Sequence, residues 1–114
     1  MFDIKQVKEN VFTVIPEFNF DIENIEMVRE LREEIDKNIS GIENPVVIID
    51  FKEVSYIDST GLGNIIRIFE MLRKKKGKLI GVNLHVDVEK IFKVTTLDTL
   101  IPIYRDVNEA LKNI

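Results

Sequence analysis

The sequence predicts an α/β domain with a mostly parallel central sheet and an N-terminal β-hairpin. The first observation is the run Val46-Val47-Ile48-Ile49-Asp50, which lacks polar alternation and is therefore typical of a strand buried on both faces. The second observation is the order of elements after residue 22, where helical and strand patterns alternate. Because such alternation requires crossover connections, we expect most strands to be parallel and to share one sheet.

The predicted elements follow in order along the chain. Residues 4–15 form short, partly alternating apolar runs on either side of Glu9-Asn10 and predict the hairpin. Apolar side chains between residues 22 and 39 recur every three or four positions, which predicts an amphipathic helix that ends before Gly41. The remaining predicted elements are a strand at 46–50, a helix at 59–76, a strand at 79–82, a helix at 85–94, a strand at 101–104 and a helix at 106–112. The sheet is thus flanked by about four helices.

Length and composition limit the classes of protein to consider. The 114 residues fit one domain spanning 1–114, and 16 basic against 20 acidic side chains give a net charge of −4. Because a nucleic-acid binder needs basic surface, we expect no nucleic-acid partner. The chain has no cysteine, which excludes disulfides and thiolate metal sites. No apolar run approaches the roughly 18 residues of a membrane span. We therefore expect a cytoplasmic protein that has no membrane partner and is a monomer when free.

The segment YIDSTGLG, residues 56–63, places two glycines at the start of a predicted helix. Each glycine costs roughly 1 kcal/mol relative to alanine inside a helix, so some other gain must offset Gly61 and Gly63. One interpretation is that the glycines let the surface of a partner approach closely. The other is that Asp58 or Ser59 merely caps the helix while Gly61 fits against the sheet.

The outward face of this helix favours the first interpretation. On a helical wheel, the predicted core stripe consists of Leu62, Ile65, Ile66, Phe69 and Leu72. Ile68 and Met71 fall outside the stripe, on the side that also carries Thr60, Asn64 and Arg67. A mixed apolar and polar face of this kind is typical of reversible protein contacts.

Three segments resemble the signature of the STAS family, the sulfate-transporter and anti-sigma-factor-antagonist domain. They are VIID at 47–50 followed by Val54, IDSTGLG at 57–63, and TLDTLIPIY at 96–104 followed by VNEAL at 107–111. The matching order of elements extends the similarity over nearly the whole chain. Two positions depart from the family pattern: Phe18 stands near a common glycine in the loop before the first helix, and Thr96 replaces a frequent glycine.

The resemblance implies a bacterial anti-sigma factor antagonist in which Ser59 is the phosphoacceptor, with Thr60 as the alternative. In the family picture, the unmodified antagonist binds an anti-sigma factor that is also a serine protein kinase, and thereby releases the sigma factor. Phosphorylation ends this binding, and a PP2C-like phosphatase restores it. The chain would then be a kinase substrate, not an enzyme, and would need no cofactor or metal. The expected partner-binding residues are Asp58, Ser59, Thr60, Gly61, Gly63, Asn64, Arg67, Ile68 and Met71.

Functions of other protein classes fit the sequence less well. An enzyme is poorly supported because the single histidine, His85, lies outside the turn and no nucleophile motif is present. Intrinsic nucleotide binding is disfavoured because Gly61-Leu62-Gly63 lacks the Lys-Ser/Thr ending of a P-loop. A receiver-type domain phosphorylated on Asp50 would need an acidic pair where this chain reads Ile15-Pro16-Glu17-Phe18. A scaffold module of the same family, acting within a larger stress-signalling complex, remains an alternative.

Overall fold

Five strands form one sheet whose spatial order equals their order in the chain, in a computed structural model that describes all 114 residues. The first two strands are antiparallel, and every later pair of neighbours is parallel. The predicted class, a mostly parallel sheet with an N-terminal hairpin, is therefore confirmed. The strands are β1 (Phe2–Lys8), β2 (Val11–Pro16), β3 (Val46–Asp50), β4 (Lys78–Val82) and β5 (Ile103–Tyr104).

Four α-helices flank the sheet, as predicted. They are α1 (Ile25–Ile39), α2 (Ser59–Arg73), α3 (Val86–Val94) and α4 (Val107–Lys112), and short 3-10 helices cover Ile22–Asn24 and Leu97–Thr99. The α2 helix ends three residues earlier than expected because Lys76 adopts a left-handed conformation, with φ 58°. None of the helices combines the length and apolar character that crossing a bilayer requires.

Both faces of the central strand β3 are buried, but by different numbers of helices. Val47 and Ile49 of β3 point into a cluster of 21 buried residues that includes side chains of α1, α2 and α3. Val46 and Ile48 point to the opposite face, where a cluster of six buried residues includes Ala110 of α4. The strand is thus covered on both sides, which explains why its sequence shows no polar alternation.

The face of α2 that enters the core differs from the predicted stripe. Ile65, Ile68 and Leu72 are fully buried, whereas Ile66 is 40% exposed. The expectation that Ile68 lies on the outer surface is therefore wrong, and so is the placement of Ile66 in the core. The reason is that α2 packs on α1 as well as on the sheet, so its buried stripe is wider and rotated toward α1.

Besides Lys76 after α2, two other helix ends use left-handed backbone conformations. Gly41, with φ 76°, follows α1 as the sequence predicted. Thr96, with φ 58°, occupies the same region after α3 and lies between Thr95 and the second 3-10 helix. A β-branched residue is disfavoured in this region because its Cβ crowds the backbone, which explains why glycine suits the position better.

Candidate functional site

The turn before α2 lies at the carboxyl edge of the parallel strands, beside the loop that follows β2. The amide of Phe20 donates to the carbonyl of Tyr56 at 3.2 Å, and the amide of Asp58 donates to the carbonyl of Phe20 at 3.0 Å. Phe20 and Ile57 thereby form a short parallel bridge outside the main sheet. Two loops that are far apart in sequence are therefore held side by side, in the region where open α/β folds commonly carry their functional sites.

Asp58 is the residue that caps α2 and also joins the two loops. Its Oδ1 accepts a hydrogen bond from the Gly61 amide at 2.9 Å, and its Oδ2 accepts one from the Ile22 amide at 2.8 Å. The bond from Gly61 is the largest cause that lowers the pKa of Asp58 below its ordinary value, and the bond from Ile22 acts in the same direction. The carboxylate is therefore ionised at neutral pH, with both oxygens engaged within the chain.

Gly61 allows the two loops to pack closely. A Cβ at this position would lie 1.7 Å from the Phe20 carbonyl oxygen and 2.7 Å from the Phe20 Cβ, so only glycine fits. The close approach to Gly61 is made by the chain's own loop after β2. The interpretation in which Asp58 caps the helix is confirmed, whereas Gly61 packs against the Phe20 loop and not against the main sheet as expected. Around Gly63, by contrast, an added Cβ meets no atom within 4 Å.

Ser59 is the first residue of α2, and its side chain is exposed. Its hydroxyl makes no hydrogen bond within the chain, and it lies directly after the helix cap at the positive end of the helix dipole. Thr60 is half-buried, and its carbonyl accepts a hydrogen bond from the Asn64 side chain at 3.1 Å. Of the two predicted acceptor hydroxyls, that of Ser59 is therefore the more accessible.

Only part of the predicted partner-binding face of α2 is exposed to solvent. Asn64 is 7% exposed, because α1 covers it and Arg32 Nη1 donates to its Oδ1 at 2.8 Å. Gly61, Asn64 and Ile68 are all enclosed by the chain itself. The expectation that these three residues lie on an open face is therefore wrong. The residues of the predicted set that retain exposed or half-buried side chains or backbone are Asp58, Ser59, Thr60, Gly63, Arg67 and Met71.

Two apolar side chains beside the turn were missed by sequence reasoning. Ile22 is 59% exposed and Tyr56 is 55% exposed, and both are anchored by their backbone amides. The Ile22 amide donates to Asp58, and the Tyr56 amide donates to Asn19 Oδ1 at 3.2 Å. The only sequence signal for Tyr56 is an aromatic residue in a short loop, whereas Ile22 falls at the start of the apolar pattern that predicts the first helix. We call Ile22, Tyr56 and Ser59 the turn surface.

The residues relevant to the rival functions serve local structure. Asp50 is buried, and its Oδ1 accepts hydrogen bonds from the Lys52 amide at 3.0 Å and from Asn83 Nδ2 at 3.1 Å. His85 is exposed, and its Nε2 lies 2.8 Å from the Lys52 carbonyl oxygen. Both side chains therefore brace the loop after β3. No group of three or more His, Asp or Glu side chains is arranged to hold a metal ion.

Comparison with known proteins gives a family match over most of the chain. The model of the family described as the STAS domain matches residues 4–110. A Listeria monocytogenes protein named anti-sigma-B factor antagonist is 39% identical over 61 residues, and the match covers 54% of this chain and 54% of that relative. The chain thus spans about half the length of that relative. A Thermotoga neapolitana protein provisionally named an anti-sigma factor antagonist is 28% identical over 114 residues, covering 100% of this chain and 97% of that protein.

Solved structures share the architecture. The crystal structure of a provisionally named anti-sigma factor antagonist from Thermotoga maritima has a TM-score of 0.84 at 24% identity, covering 99% of this chain and 93% of that one. The phosphorylated form of SpoIIAA, a cell fate determinant of Bacillus, has a TM-score of 0.71 at 19% identity, covering 99% of this chain and 98% of that one. At these identities, the two likenesses show the fold alone.

Proposed function

Because the chain belongs to the STAS domain family, we propose that it is an anti-sigma factor antagonist whose binding is switched off by phosphorylation of Ser59. The names of the relatives from Listeria and Thermotoga support the general function. The observation that carries the switch is the exposed, unbonded hydroxyl of Ser59 at the first residue of α2. That hydroxyl is open to a kinase and lies beside two exposed apolar side chains, which suit contact with a partner.

In the unmodified state, the anti-sigma factor packs over the turn surface. Ile22 and Tyr56 supply exposed apolar area on the two loops that meet at Asp58, and their anchored backbones reduce the entropy lost on binding. The rigid connection between the two loops means that the partner meets a preformed surface. Binding of this kind competes with the sigma factor for the anti-sigma factor and so releases the sigma factor.

Phosphorylation of Ser59 adds about −1.5 to −2 charges to that surface. The amino end of α2 tolerates the added charge because its free N–H groups and its dipole favour an anion, so the fold is kept. A partner that closes over the phosphate without supplying a cation must desolvate it, which costs several kcal/mol. Since each 1.4 kcal/mol is tenfold in affinity, the complex dissociates.

The groups that catalyse the phosphoryl transfer belong to the partner proteins. The anti-sigma factor acts as a serine kinase: the Ser59 Oγ forms a bond to the γ-phosphorus of ATP, the bond to the bridging oxygen breaks, and the hydroxyl proton leaves. A separate phosphatase of the PP2C type hydrolyses the phosphoserine with water and restores binding. The antagonist itself then contributes only a correctly presented hydroxyl.

The test has two steps. The tagged full chain is recovered from its native cells, and associated proteins and the phosphosite are identified by mass spectrometry. The purified partner is then titrated calorimetrically with the variants Ser59→Ala and Ser59→Asp. We expect Ser59→Ala to bind and Ser59→Asp to bind at least tenfold more weakly, because the added carboxylate must be desolvated.

The matched control is Asn108→Asp, which adds the same charge to an exposed position in the first turn of another helix, α4. It should bind as the wild type does. Thr60→Val separates the two acceptors, because phosphorylation should persist in this variant. Equal affinities for Ser59→Ala and Ser59→Asp would remove the switch, and a partner unrelated to sigma factors would favour a scaffold role.

A further inference from the structure

Arg32, in the middle of α1, forms a hydrogen bond with a neutral side chain and no ion pair. Ion pairs on α1 join Arg29 to Glu26 and Lys37 to Glu34, but none includes Arg32. The Arg32 guanidinium is instead half-buried between the helices and donates to the side-chain amide of Asn64 at 2.8 Å. The charged Arg32 guanidinium thus donates to the neutral, buried side chain of Asn64 on α2.

The side-chain amide of Asn64 connects Arg32 to the start of α2 through a second hydrogen bond. Because arginine can only donate hydrogen bonds, it must face the amide oxygen, and the NH₂ group of Asn64 then faces the other way. That group donates to the Thr60 carbonyl at 3.1 Å. Asparagine inside a helix usually competes with backbone hydrogen bonds and is unfavourable there. Here, the contact with Arg32 fixes its orientation so that it closes the first turn.

We propose that Arg32 is a positioning residue for the Ser59 hydroxyl. Acting through Asn64, it holds the Thr60 carbonyl and keeps the first turn of α2 closed, so that residue 59 is presented outward at the positive end of the helix. The inference rests on the proposed function, since it concerns presentation of the same hydroxyl to the kinase. It adds a residue on a different helix, 27 positions before Ser59, that no motif of the turn contains.

The chain offers a probe that needs no partner protein. It has no cysteine, so Ser59→Cys introduces a single thiol where the acceptor hydroxyl stands. The N–H groups and dipole of a closed helix start favour the thiolate, which is the form that reacts with iodoacetamide. The alkylation rate at pH 7 therefore reports how well the first turn is formed around residue 59.

In the Ser59→Cys background, we expect Asn64→Leu and Arg32→Met each to slow alkylation about threefold. The double variant should be no slower than either single one, because the two side chains act through one contact. Arg32→Lys should recover part of the rate, since it can still donate to the amide. Arg29→Met, which removes the same charge from the same helix without touching Asn64, should leave the rate unchanged.

A rate that is unaffected by Asn64→Leu, or additive effects in the double variant, would overturn the positioning role. So would equal slowing by Arg29→Met and Arg32→Met, which would mean that charge alone acts. If Asn64→Leu does not fold, amide hydrogen exchange is measured in Arg32→Met. Faster exchange than in the wild type at Gly63, with an unchanged rate at Leu72, supports the role. A uniform change in the exchange rates, or no change, contradicts it. A negative result here would contradict only the role of Arg32. The phosphorylation switch is tested independently by the titration of Ser59→Ala and Ser59→Asp.

Discussion

The Ile22 amide donates a 2.8 Å hydrogen bond to Oδ2 of Asp58, across 36 positions of sequence. This bond makes the cap of α2 also the anchor of the loop that follows β2. The Asp58 carboxylate, the Gly61 backbone and the Phe20 carbonyl then form one packed unit at the start of α2, next to Ser59 in the chain. The turn surface is therefore a composite of two loops, and its shape depends on contacts that lie below it.

The double role of Asp58 predicts that its removal costs more than the loss of an ordinary helix cap. Asp106 provides the comparison, because its Oδ1 caps α4 by accepting from the Glu109 amide at 2.8 Å and makes no bond to a distant loop. We expect Asp58→Ala to lower the urea midpoint of unfolding more than Asp106→Ala does. Equal midpoints for the two variants would show that the bond to Ile22 contributes nothing.

The lowered pKa of Asp58 predicts how its contribution depends on pH. The folded side chain has a pKa below its ordinary value in the unfolded chain, so the stabilisation is fully present above the unfolded pKa. It is lost as pH falls through the folded pKa, where the carboxylate becomes protonated in both states. The difference in unfolding free energy between the wild type and Asp58→Asn should therefore shrink below about pH 4. A difference that stays constant from pH 7 to pH 3 would contradict this account.

The two glycines of the turn should respond in opposite ways to alanine. Gly61→Ala places a methyl group against the Phe20 carbonyl oxygen, so the loops must separate, and we expect a loss of about 1–3 kcal/mol in the free energy of unfolding. Gly63→Ala meets open space within a helix and should be neutral or stabilising by up to about 1 kcal/mol. Chemical denaturation of the two variants, which differ by two positions, checks the prediction. Similar losses in both would mean that close packing is not what requires Gly61.

Ile22 and Tyr56 should contribute to partner binding without contributing to stability. Both are more than half exposed, so Ile22→Ala and Tyr56→Ala should change the unfolding free energy by less than about 0.5 kcal/mol. Each should weaken binding of the anti-sigma factor about tenfold, as apolar residues at the centre of an interface do. Leu100→Ala is the control, since Leu100 is 53% exposed and follows the second 3-10 helix, away from the turn. If all three variants bind like the wild type, the interface lies elsewhere.

The sequence was sufficient to predict the architecture because local signals and burial agreed. The unbroken apolar run of β3, for example, could be stable only if both of its faces were covered. The cap at Asp58 followed from local chemistry in the same way. The cap depends only on residues that are close in sequence. The burial of β3 requires only that helices cover both of its faces, whatever their exact orientation.

The orientation of α2 was the part that the sequence could not specify. Its periodicity shows that a buried stripe exists, but the width and direction of that stripe depend on where α1 lies. Ile68 and Asn64 were therefore placed on the surface, although α1 encloses them. The exposure of Ile22 was missed for a related reason, since its backbone is held by Asp58, far away in the chain.

The most direct measurement of the central claim uses the modified protein itself. Phosphoserine is incorporated at position 59 during synthesis, and the product is compared with the unmodified chain by amide NMR and by titration against the anti-sigma factor. We expect spectral changes confined to the two loops and the first turn of α2, together with at least a tenfold loss of affinity. Undiminished affinity, or loss of the folded spectrum, would contradict the account.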